Sequence, residues 1–330
     1  MSETTPKAPD SGERRGSGRA DFRRFIGVDL GGGRGKNTAV ARLELGVGTT
    51  GRPRLAIAEA KVRHGQRGTG ASSDDPGGDA LFRDEVLVAY LERWADDHTV
   101  VAIDAPLTLP PCIRCSLPCP TVARCTVPVV EWMRRWAPRL QARGRSDPGK
   151  PAVTPYTQRA TELLQVAVGI RPRETLGQGT GPVAARAAYL RRVLSPRLRL
   201  HENLIEVQPR ATIAQVFGAG VARRSRHGDD DRVWAMRKRV LAGLTEGIAF
   251  DYVWPELVVR NSHVFHAVIC AFTAFLWARR GLAGPGDLQG SKPVATTAQE
   301  LTQAIDDLGA LWLEDGWVFI PPLAERPRRV

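Results

Sequence analysis

Apolar residues alternate with small or polar ones from Arg24 to Asp29, and the same period-two pattern returns over Thr38 to Leu45 and Arg54 to Val62. Alternation of this kind predicts strands, and the turn Gly31-Gly32-Gly33 between the first two predicts a hairpin. Val100 to Ile103 and Leu204-Ile205-Glu206-Val207 are short apolar runs, which predict buried strands, and Gly316 to Pro321 predicts a last one. Helical spacing covers Ala80 to Asp97, Thr157 to Val168, Val183 to Val193 and Asp229 to Leu244. Ser262 to Arg280 is the most apolar of the helices and is expected to be the most buried. Strands and helices mixed around one sheet predict an α/β architecture.

The segments between these elements set the domain organisation. Residues 1–20 are rich in Ser, Gly, Pro and mixed charge, which predicts a disordered tail. His64 to Asp79 is polar and glycine-rich, as a surface loop would be. Pro106 to Lys150 is proline-rich and carries four of the five cysteines, so it reads as an insertion within a single domain spanning 21–325, with 326–330 a basic tail. The longest apolar stretch, Val264 to Trp277, falls short of the roughly 20 residues that a bilayer span needs. The polar N-terminus lacks the apolar core of a signal peptide, and the expectation is a cytoplasmic protein with no membrane partner.

Composition is ordinary, with 42% hydrophobic and 25% charged residues, but the net charge of +12 is not evenly spread. Residues 130–240 hold 22 Arg and Lys against 9 Asp and Glu, while the remainder of the chain is close to neutral. A positive face concentrates phosphodiester near it by long-range attraction, which predicts an RNA or DNA partner. Arg237, Lys238 and Arg239 on the late charged helix are candidate contacts. The competing reading is a set of solvated helix faces rich in Arg.

Asp29, Asp104 and Glu206 each close a short apolar strand, where carboxylates are depleted. Oxygen ligands suit Mg²⁺ or Mn²⁺, and two such ions stabilise the attacking and leaving oxygens of a phosphodiester. Each acid could instead cap a neighbouring turn. The run Gly31 to Thr38 resembles a phosphate-binding loop in which Lys36 would meet phosphate. It departs from that motif, with Leu30 where Gly is needed and Asn37 in place of Ser or Thr. It also resembles the first phosphate motif of the actin and sugar-kinase superfamily, but no second such motif follows.

Six motifs together resemble the domain of unknown function 429 family. They are Ile26-Gly27-Val28-Asp29 with its glycine turn, Ala102 to Leu107, Arg159-Ala160-Thr161-Glu162, Ile205 to Pro209, His266 to Ala271, and Gly316 to Pro321. The resemblance runs from Arg24 to Pro322. It implies a ribonuclease H-like fold, a mixed sheet flanked by helices, and nuclease activity. Carried over by position, Asp29, Asp104 and Glu206 become catalytic acids and Arg159 a substrate-binding residue. His266 stands where the family has an Asp. An imidazole can bind a metal or act as a general base, and His263 lies on the same helical face.

Cys112, Cys115, Cys119 and Cys125 have the spacing C-x2-C-x3-C-x5-C. Four thiolates this close in a reducing compartment suit either Zn²⁺ or an iron–sulfur cluster. The leading expectation is a metal-dependent nuclease. An ATP-binding activator of the actin-like superfamily and a non-catalytic nucleic-acid-binding module are the alternatives.

Overall fold

The computed structural model describes residues 21–32, 38–47, 53–62, 84–141, 151–225, 228, 230–245, 248–249 and 255–322. The predicted tails at 1–20 and 326–330, the 64–79 loop and Lys36 lie outside the described residues. The alternating segments become β1 (Arg24–Asp29), β2 (Ala39–Val47) and β3 (Pro53–Val62), which pair antiparallel in sequence order. The apolar runs become β4 (Thr99–Ile103) and β5 (Leu204–Val207), each parallel to its neighbour. Two-residue strands β6 (Ile248–Ala249) and β7 (Val318–Phe319) complete a mixed sheet of order β6-β3-β2-β1-β4-β5-β7.

Helices α1 (Asp84–Trp94), α2 (Pro111–Arg114), α3 (Pro128–Leu140), α4 (Ala160–Ala167), α5 (Gly181–Val193) and α6 (Pro209–Phe217) precede or follow the parallel strands. They are joined by α7 (Ala219–Arg224), α8 (Asp231–Thr245), α9 (Pro255–Arg260), α10 (Ser262–Arg280), α11 (Ala298–Leu308) and α12 (Trp312–Asp315). The architecture is α/β, as the mixed pattern predicts.

The sheet separates two apolar layers. Phe25, Ala102 and Ile205 face the larger layer with α3, α4 and α10, whereas Val28, Ile103 and Leu204 face a smaller one with α1 and α5. Each large apolar side chain withdrawn from water contributes about 2 kcal/mol, so α10, with twelve buried residues, is the principal anchor of the sheet. It lies directly on β1 because Gly27 has no side chain. A Cβ there would run into the Ala267 carbonyl and the Ala271 amide.

Part of the segment read as an insertion is core. Helix α3 buries Trp132, Met133 and Trp136 in the main cluster, and the Trp132 indole donates to the Ala304 carbonyl at 2.8 Å. Pro138 sits in the last turn of α3, beyond most of its hydrogen bonds. The cysteine-bearing stretch between α2 and α3 touches that core at Cys125 and Val122, and the residues from Ile113 to Thr121 are exposed.

Candidate functional site

A pocket of about 510 Å³ opens where β1, β4 and β5 end. Asp29, Asp104 and Glu206 all line it, together with Gly31, Gly32, Arg173, Arg210, His263 and His266. The turn after β1 is fastened to α5 by Arg186, which donates to the Gly31 carbonyl at 2.6 Å and the Thr38 hydroxyl at 2.8 Å, and pairs with Asp84.

The pleat divides the three acids. Val28 pairs with Ile103, and Ile103 pairs with Glu206, so these residues share a face of the sheet. Asp29 and Asp104 come one residue later on their strands and belong to the opposite face, beneath α10. Asn261 caps α10 by accepting from the amides of His263 and Val264, and the helix then presents His263 and His266 one turn apart. His263 Nδ1 meets Asp29 Oδ2 at 2.7 Å, and His266 Nδ1 is 3.8 Å from the same oxygen.

Asp29, Asp104 and His266 each offer a ligand atom, and these atoms lie within 4.8 Å of one another. Asp29 and His266 are buried, whereas Asp104 keeps partial contact with the pocket while being enclosed by protein. That enclosure, reinforced by the negative charge of Asp29 and then of Glu206, pushes the Asp104 carboxyl up to about 8 against a pull from Arg173 and Arg210. A concave site with this much negative charge favours a cation. Two carboxylates and an imidazole form a donor set that Mn²⁺ accepts readily and that Mg²⁺, with its preference for oxygen, accepts less well.

Glu206 belongs to a different constellation. Arg159 grips it with two parallel hydrogen bonds, NH1 to Oε2 at 2.8 Å and NH2 to Oε1 at 2.6 Å, and the Leu107 amide donates to the same carboxylate. Arg159 also donates to Glu162, three residues on, and to the Thr108 hydroxyl, so its donors are occupied by protein. Burial opposes the guanidinium charge, but Glu162 and Glu206 outweigh it and raise the pKa of Arg159. Glu206 and Arg159 thus line the pocket as an ion pair beside the Asp29–Asp104–His266 group, and Arg159 links Glu206 to the start of α4.

Arg237, a candidate nucleic-acid contact in the sequence, lies in the interior. It is fully buried and donates to the carbonyls of Ser225, Gly228, Val259 and Arg260, which ties α8 to α9. Its neighbours Lys238 and Arg239 are exposed on the outer face of α8. Cys112, Cys115, Cys119 and Cys125 line a separate cavity. Sequence reasoning did not single out Arg173, Arg210 or Gln208 as pocket residues. Gln208 and Arg210 flank Pro209, in the strand-to-helix junction already noted for its acid, and that adjacency was the available signal.

These features define an α/β protein with an acid–imidazole cluster at the carboxyl ends of adjacent parallel strands. The chain belongs to the DUF429 family, described as a protein of unknown function, whose family model matches residues 27–288. The match takes in Asp29, Asp104, Glu206 and His266, and the last motif, Gly316 to Pro321, lies beyond it. No curated protein and no solved structure matches the chain.

Proposed function

We propose that the protein is a divalent-metal-dependent phosphodiesterase with a ribonuclease H-like fold, acting on RNA or DNA. The observation that carries this reading is the meeting of Asp29, Asp104 and His266 within 4.8 Å in the lining of one pocket. The order β3-β2-β1-β4-β5, antiparallel up to β1 and parallel beyond it, supports the fold assignment.

Asp29, Asp104 and His266 would hold the ion, which supplies Lewis-acid polarisation of a phosphoryl oxygen and lowers the pKa of a bound water. His263, aligned by Asp29, is the candidate to accept the proton of the attacking water. Arg173 and Arg210 bring positive charge to the wall where a phosphodiester would lie. With Glu206 held by Arg159, the scheme rests on one ion, and a second would require that pair to open.

The pocket volume is within the range of small-ligand sites, which favours a single strand or a strand end over a continuous duplex. It equally admits ATP, the ligand of the actin-like alternative, and calorimetry with ATP separates the two. The deciding experiment incubates purified protein with labelled single- and double-stranded RNA and DNA in Mg²⁺, Mn²⁺ or chelator. Expected is cleavage that depends on metal and disappears in Asp104→Asn. Folded protein that binds Mn²⁺ yet cleaves none of these substrates overturns the reading.

A further inference from the structure

We propose that Cys112, Cys115, Cys119 and Cys125 hold an iron–sulfur cluster, at a site separate from the carboxylate pocket. All four cysteines line one cavity of about 230 Å³ between α2 and the start of α3. They do not converge on a point, however. Among the described residues, no three of these sulfurs lie within 4.8 Å of one another.

That spacing discriminates between the two metals the sequence leaves open. A single tetrahedral zinc, with bonds of about 2.3 Å, draws every pair of its four sulfurs to about 3.8 Å. An iron–sulfur cluster shares four thiolates among several irons around a body of inorganic sulfide, so its cysteines ring a cavity. Four cysteines around one cavity, with no three of their sulfurs within 4.8 Å of one another, suit the second kind better than the first. The Leu117 amide already donates to Cys115 Sγ at 3.4 Å, and hydrogen bonds of this type stabilise cluster thiolates.

The loop also needs a staple. Between Cys112 and Cys125 only Cys125 is buried, and Ile113 and Leu117 are exposed, so the segment has no apolar core. It is tethered at its start, where the Cys112 amide donates to the Pro155 carbonyl at 3.0 Å and Arg114 pairs with Asp315 at 2.8 Å. Metal ligation supplies to such a segment the ordering energy that burial does not. The cysteines take up a cluster already assembled at its own oxidation level and release their thiol protons, with no electron transfer and no step that the carboxylate site must perform. The inference is independent of the phosphodiesterase reading.

The test uses full-length protein made in iron-replete cells and purified without oxygen, with iron, acid-labile sulfide and zinc quantified and the visible spectrum recorded. Expected is brown protein holding iron and sulfide in equal amounts, with broad violet absorption bleached by dithionite. Cys115 and Cys119 are exposed, so Cys115→Ser and Cys119→Ser should each lose the iron while far-ultraviolet circular dichroism stays unchanged. Stoichiometric zinc in a colourless protein, neither metal, or iron retained in both variants would each overturn the proposal.

Discussion

Asp29 on β1 and His263 on α10 meet at 2.7 Å, joining the first strand of the sheet to its most buried helix in the lining of the pocket. The contact depends on Gly27, two residues earlier, where the absent side chain lets α10 approach β1. A packing feature thereby sets the geometry of a candidate metal ligand. The Asp29 oxygen that meets His263 at 2.7 Å lies 3.8 Å from His266, so a shift of this carboxylate changes its distance to both rings.

Replacing Asp104 by Asn preserves shape and removes one of the acids that crowd the site. Mn²⁺ affinity, measured by calorimetry, should fall by more than the ~10–100-fold that outer-shell partners typically cost. Thermal stability of the metal-free variant should exceed that of the parent above pH 8, where Asp104 would otherwise ionise in an enclosed site against Asp29 and Glu206, and the difference should fade toward neutral pH. Unchanged Mn²⁺ affinity would remove Asp104 from the ligand set.

Arg159→Met leaves Glu162 and Glu206 buried without their counter-charge. Urea unfolding should show a loss of about 3–5 kcal/mol, and Arg159→Lys should recover only part of it, since an ammonium cannot reproduce the bidentate grip. The loss should shrink in acid, where the stranded carboxyls can take up protons. A variant as stable as the parent would show that the pair contributes little.

His201 packs against the rings of Trp312 and Phe319. Desolvation, aided by Arg191 and Arg159, drives its pKa down to about 4 from 6.5. The unfolded chain therefore binds a proton between these values that the folded chain refuses. Stability contributed by the neutral ring is complete above pH 6.5 and is lost as pH falls toward 4, by at most on the order of 3 kcal/mol. His201→Asn, which suits the positive φ of this position, should flatten the stability profile across that window while lowering stability above it. An unaltered acid slope would assign the effect to other groups.

Lys238 and Arg239 are exposed, so their reversal to Glu tests the basic stretch as a polymer-binding face. Binding of labelled oligonucleotides should weaken, and the dependence on salt should become shallower as phosphate contacts are lost. Arg237→Glu should instead unfold the α8–α9 junction, seen as reduced thermal stability with or without nucleic acid. Identical binding by the Lys238→Glu, Arg239→Glu double variant would exclude this face.

Local pattern was enough to define much of the fold. Leu204–Val207 and Ser262–Arg280 have the boundaries that their apolar runs predict, because both are buried on nearly all sides and periodicity reports burial. Helix α3 escaped notice because prolines at 128 and 138 and nearby cysteines masked its spacing, although Trp132 and Trp136 are four residues apart. The candidate acids were legible as charges at strand ends. Which of them act together was not, since that depends on the register of β1, β4 and β5: one residue of offset puts Glu206 on the other face from Asp29 and Asp104. The same holds for the arginines. Arg159 and Arg237 look like the exposed bases around them, and only long-range packing, which surrounds one with carboxylates and the other with carbonyls, makes them interior residues.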